Sequence, residues 1–122
     1  MGLLDGARVL VIDDDALVRL AISRQLRKLG CVPEVAATGA EGLALVGSQP
    51  FDAAIVDLKM PDMGGPETAD QLRKLSKLPV IVISAALNLR TTPIDSVARL
   101  AKPFALHELQ AALEAAMTVK RG

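Results

Sequence analysis

The chain has no tryptophan and no tyrosine, and its only aromatic side chains are Phe51 and Phe104. Without a row of aromatic faces it cannot build the stacking platform on which single-stranded nucleic acid is held. Charge closes a second route. Fourteen basic residues against fourteen acidic ones leave a formal net charge of +0 and a pI near 6.6, so no overall field draws the chain toward nucleic acid or anionic lipid. A single cysteine, Cys31, has no intramolecular disulfide partner, and a single histidine, His107, stands too far along the chain to join it in a usual Cys/His zinc pattern. A reducing, cytoplasmic setting is expected. No apolar run approaches the roughly 20 residues that span a bilayer. The start, Met1-Gly2-Leu3-Leu4-Asp5-Gly6, lacks both a basic signal stretch and the Ser/Thr of a myristoylation pattern, so no membrane partner is expected. Neither G-x-x-x-x-G-K-[ST] nor G-x-G-x-x-G occurs, which removes the common nucleotide-cradling loops.

What is present is ample apolar material. Of 122 residues, 51% are hydrophobic and 23% charged, with mean hydropathy +0.36, so the composition is that of a folding chain and the length fits one domain over residues 1–122. The run ARVLVI, Ala7 to Ile12, stops at three aspartates, as a strand buried on both faces does at a polar edge. After Asp15, Val18, Ile22, Leu26 and Leu29 recur at helical spacing until Gly30, predicting a helix with an Asp N-cap and a Gly stop. A second strand is read from Pro33 to Ala37. Thr38-Gly39-Ala40-Glu41 then forms a capping box that opens a helix to about Gly47, with Gly42 a weak point inside it.

The pattern repeats. Asp52 to Val56 predicts a third strand ending on Asp57, and Pro66 suits the first position of the next helix. Pro79 to Ile83 predicts a fourth, ending on Ser84. From Leu87 to Ser96 the periodicity decays, and Thr91, Thr92 and Pro93 leave room only for a short or irregular helix. Val97 to Ala101 supplies a fifth strand ending at Lys102, and Leu106, Leu109, Leu113 and Met117 mark a last helix. Five alternations of strand and helix predict an α/β, doubly wound, five-stranded parallel sheet, for which the order 2-1-3-4-5 is common.

Functional groups in such sheets gather beyond the carboxyl ends of the strands. Asp13, Asp14 and Asp57 follow strands 1 and 3, neighbours in that order. Two like unit charges roughly 4 Å apart repel by about 1 kcal/mol in water and about 4 kcal/mol at an effective dielectric near 20, so three carboxylates there need a cation or a shared proton. Hard oxygen ligands with room for water suit Mg²⁺. Lys102 at the same edge would offset part of the charge, and Ser84 adds a hydroxyl beside the small Ala85 and Ala86. A carboxylate nucleophile, a divalent cation, a lysine and a hydroxyl are the parts of phosphoryl transfer. Each part alone has a plainer reading: an aspartate after a strand is commonly a helix N-cap, as Asp15 is expected to be, and Lys102-Pro103 would serve as an exposed strand end.

Through VLVIDDDALVR, DAAIVDLKMPDMGG, PVIVISA and AKPF, placed in order at successive strand ends, the chain resembles the receiver domains of bacterial two-component response regulators, whose fold is flavodoxin-like. The resemblance implies that Asp57 is the phosphoacceptor, that Asp13 and Asp14 hold Mg²⁺ with Asp57 and the backbone carbonyl of Lys59, that Ser84 is the switch hydroxyl and that Lys102 contacts the phosphoryl group. It implies a histidine kinase or histidine phosphotransfer protein as donor, a downstream protein as target, no enzyme activity beyond assistance to its own phosphorylation and dephosphorylation, and a monomer or weak dimer.

Two departures bear on output. Receivers commonly carry an aromatic three residues before the lysine, where this chain has Arg99, and only 18 positions separate Ser84 from Lys102, fewer than in typical members. Arg99 reads as a solvated edge charge or a partner contact. His107 reads as a surface side chain, Cys31 as a turn residue, and Met60 and Met63 as covers at the edge of the site. Two alternatives remain at this point. One is a haloacid-dehalogenase-like phosphatase, since Asp13-Asp14-Asp15 contains an Asp-x-Asp, although Ala16-Leu17 follows in place of Gly-Thr. The other is a module that keeps the fold and signals without phosphorylation.

Overall fold

The computed structural model describes residues 2–58, 65–85 and 98–120. In chain order they form β1 (Arg8–Ile12), α1 (Ala16–Lys28), β2 (Val32–Ala36), α2 (Gly39–Ser48), β3 (Ala53–Asp57), α3 (Gly65–Ser76), β4 (Val80–Ala85), β5 (Ala98–Lys102) and α4 (Leu106–Lys120). All strand pairs are parallel, and the sheet order is β2-β1-β3-β4-β5.

Side chains of the sheet alternate between two cores. Val9, Val11, Ile55, Ile81, Ile83 and Leu100 face α1 and α4, where Ile22, Leu26, Leu109 and Leu113 meet them. Leu10, Ile12, Ala54, Val56, Val80 and Val82 face the other way, against Leu43 and Val46 of α2 and Ala69 and Leu72 of α3. Strands apolar on both faces are therefore the inner ones, β1, β3 and β4.

Local chemistry sets the helix ends. The Asp15 carboxylate accepts from the backbone N–H groups of Leu17 and Val18 at the start of α1, and Thr38 Oγ1 accepts from Glu41 N–H at the start of α2. Gly30 ends α1 at φ +90°, a conformation that costs glycine nothing and brings its backbone against Asp5. Gly42, the weak point of α2, is there for space: a Cβ would stand 2.3 Å from Ile12 Cδ1.

The strand bounds differ from expectation by a residue or so. Asp57, Ser84 and Lys102 belong to their strands, paired with Ile83, Ala101 and Ala85, because sheet hydrogen bonding continues past the last apolar side chain. The second strand begins at Val32, since Val32 N–H donates to Ala7 O at 2.7 Å, and it ends at Ala36. That bond, with Asp13 N–H donating to Ala36 O, turns the backbone of Val32, Glu34 and Ala36 inward and that of Pro33 and Val35 to the open edge. The missing N–H of Pro33 thus falls where a further strand would need a donor.

The segment between β4 and β5, with Pro93, lies outside the described residues, as do Lys59, Met60 and Met63. Among the described residues no helix is long and apolar enough to cross a membrane.

Candidate functional site

Asp13 leaves β1 still tied to the sheet, its N–H on Ala36 O at 3.1 Å. It is fully buried, and a buried carboxylate needs donors. Asp15 N–H gives Asp13 Oδ1 one at 2.9 Å, and Lys102 Nζ gives Oδ2 another at 3.1 Å. Arg19, one turn into α1, donates from Nη1 to the Asp13 carbonyl at 2.7 Å, so the acidic turn is held from the helix as well.

Lys102 reaches across from the far edge strand and also lies 3.7 Å from Asp57 Oδ1. Its side chain is 29% exposed, whereas those of Asp13 and Asp57 are 0% and 8% exposed, so the amine enters a pocket of carboxylates from the solvent side. Asp14 is exposed at the rim. One carboxylate oxygen from each of Asp13, Asp14 and Asp57 lies within 4.8 Å of the others. Three carboxylates meet one ammonium among the described residues of the cluster, and the donors are hard oxygens with an open side, a set that fits one small divalent cation.

Ser84 is buried on β4, one residue beyond Ile83, the partner of Asp57. The structure thus gathers Asp13, Asp14, Asp57 and Lys102 by measured distances and sets Ser84 on the adjacent strand end. The Lys59 carbonyl lies outside the described residues. Two contributors escaped the sequence reading: the Asp15 N–H, hidden behind that residue's role as a cap, and Arg19, which looks like any surface arginine on an amphipathic helix.

Residues 9–114 match the family model of the response regulator receiver domain. A response regulator, MprA, of Mycolicibacterium vanbaalenii is 40% identical over 113 residues, which covers 88% of this chain and 49% of that protein. The MprA of Mycobacterium ulcerans is 39% identical over the same length and coverage. The chain therefore spans about half the length of these curated relatives. Among solved structures, the chemotaxis protein CheY4 of Vibrio cholerae is similar with a TM-score of 0.81 and 29% identity, over 91% of this chain and 98% of that one. The response regulator TrrA of Thermotoga maritima, solved in complex with Mg²⁺-BeF, has a TM-score of 0.81 and 28% identity over 90% and 98%. The family model matches well over half of the chain, and the chain belongs to the response regulator receiver domains.

Proposed function

We infer that Asp57 accepts a phosphoryl group from the phosphohistidine of a histidine kinase or histidine phosphotransfer protein, in a Mg²⁺-dependent reaction, and that this signalling domain then acts through contacts with a downstream protein. The observation that carries the reading is the position of Lys102 Nζ, 3.1 Å from Asp13 and 3.7 Å from Asp57, with Asp14 in the same cluster. Among the three carboxylates, Asp13 is the least suited to attack. It is fully buried, and both its oxygens accept hydrogen bonds. Asp14 stands exposed, where it suits a water-bearing cation. Asp57 retains a slight opening to solvent beside a cationic amine, which suits a nucleophile that must meet a phosphorylated partner.

Asp13, Asp14 and Asp57, with the Lys59 carbonyl, would hold Mg²⁺, which when bound supplies charge neutralisation to the transferring phosphoryl oxygens. In the transfer an Asp57 carboxylate oxygen bonds to phosphorus as the histidine N–P bond breaks, and the imidazole leaves with the donor. Lys102 offers a hydrogen bond and a positive charge to a phosphoryl oxygen, and Ser84 a hydroxyl to another. Later attack of water returns the Asp57 carboxylate and inorganic phosphate. The family match does not favour a phosphatase or a phosphorylation-independent module.

The test is transfer of label from a radiolabelled histidine kinase, or from acetyl phosphate, with Mg²⁺ present. Wild-type protein is expected to take up label that alkali and hydroxylamine release, as from an acyl phosphate, and Asp57→Asn none. Equal labelling of the two removes Asp57 from the role.

A further inference from the structure

We propose that the groove between α1 and β2 is a docking site for an acidic amphipathic helix of a partner protein. The groove has a volume of about 360 Å³, with Leu20, Pro33 and Val35 as apolar walls, Arg19 and Arg27 as cations along it and Glu34 as its one acid. Leu20 and Val35 stand 45% and 42% exposed. The four large apolar side chains that are exposed among the described residues, Leu17, Leu20, Val32 and Val35, are all on these two elements. Scattered exposed apolar residues carry no message, but four confined to two neighbouring elements do, and two of them, Leu20 and Val35, line the groove itself.

Charge selects the partner. Helix α1 carries Arg19, Arg24, Arg27 and Lys28 and no acidic residue. An apolar stripe flanked by aspartates or glutamates is its complement. Among the described residues a second copy of this chain does not supply one: α2 has Glu41 alone, and the helix sequences of α3 and α4 carry basic residues beside their acids. Backbone chemistry selects the shape. Strand addition at β2 would need the outward N–H that Pro33 lacks, so the occupant is a helix rather than a strand. From Ala16 to Arg27 the groove follows α1 for roughly 16 Å, which three turns of a partner helix cover. This flank lies away from α4, where Gln25 Nε2 donates to Phe104 O at 3.5 Å. Arg19 touches both regions, through its bond to the Asp13 carbonyl, whereas Arg27 and Val35 line the groove and take no part in the site around Asp57.

The test is selection from a display library of single helices, randomised in sequence, against the full chain. Backbone amide shifts then locate the enriched helices, and affinity is measured for wild type, Arg27→Glu, Val35→Ser and Asp57→Asn. Both groove substitutions fall on exposed side chains, and circular dichroism checks that they fold. The expected winners carry acidic residues beside an apolar stripe, shift the amides of α1 and β2, and lose about tenfold or more in affinity on Arg27→Glu and on Val35→Ser. Asp57→Asn is expected to bind as wild type does, so a failed labelling test leaves this one standing. Neutral or basic winners, shifts centred elsewhere, absence of enrichment, or self-association of the chain through the groove in sedimentation each overturn the proposal.

Discussion

Lys102 is the side chain on which the acidic pocket balances. Two carboxylates about 5 Å apart repel by about 3 kcal/mol at an effective dielectric near 20, and Lys102 offsets part of this for Asp13 and Asp57 together. Lys102→Met is therefore expected to lower stability by about 1–3 kcal/mol at neutral pH, measured by urea denaturation of both proteins. Cys31 makes stability depend on pH. Burial, with smaller contributions from the charges of Asp5 and Asp52, raises its thiol above the usual range. A group whose folded-state value is raised contributes stability that is intact below its unfolded value and is lost as the pH rises through the folded one. As the pH rises through and beyond the ordinary thiol range, the urea midpoint is thus expected to fall more steeply in wild type than in Cys31→Ala. A parallel decline in the two proteins would assign the loss elsewhere.

At the scale of elements, two of the three glycines in α2 have opposite meanings. Gly42 sits where a methyl group would overlap Ile12, while nothing lies within 4 Å of a Cβ at Gly47. Gly42→Ala is expected to cost about 1–3 kcal/mol through overpacking, and Gly47→Ala to gain roughly 0.5–1 kcal/mol through helix propensity, both readable as shifts of the same denaturation curve. How far such features were legible in the sequence follows from how local they are. The Asp15 cap, the Gly30 stop and the apolar runs of β1, β3 and β4 are set by near neighbours, and all were readable. Gly42 was not, since its reason is a side chain on another element. The apolar runs stop short of the ends of β3, β4 and β5 because partners in the adjacent strand decide those ends, as Ile83 does for Asp57 and Ala85 for Lys102. The acidic pocket was legible in its members, which stand at three strand ends, and illegible in its fastening, because Arg19 reaches the Asp13 carbonyl with no spacing that sets it apart.

At the scale of the whole molecule, one sheet separates two cores, and β1, β3 and β4 contribute alternate residues to both. Neither core survives loss of the sheet, so unfolding is expected to be a single transition. The two aromatics report on it separately, Phe51 from the α2–α3 side and Phe104 from the α1–α4 side. With fluorinated phenylalanine, the two fluorine resonances are expected to change at the same urea concentration; separate midpoints would show that the layers come apart in turn. Neutrality, too, has a structure. Four of the fourteen basic residues lie on α1, so the rest of the chain holds ten against fourteen acidic ones. A body with no total charge thus carries a lopsided one, and in the last nanometre before an encounter it has a preferred way to turn.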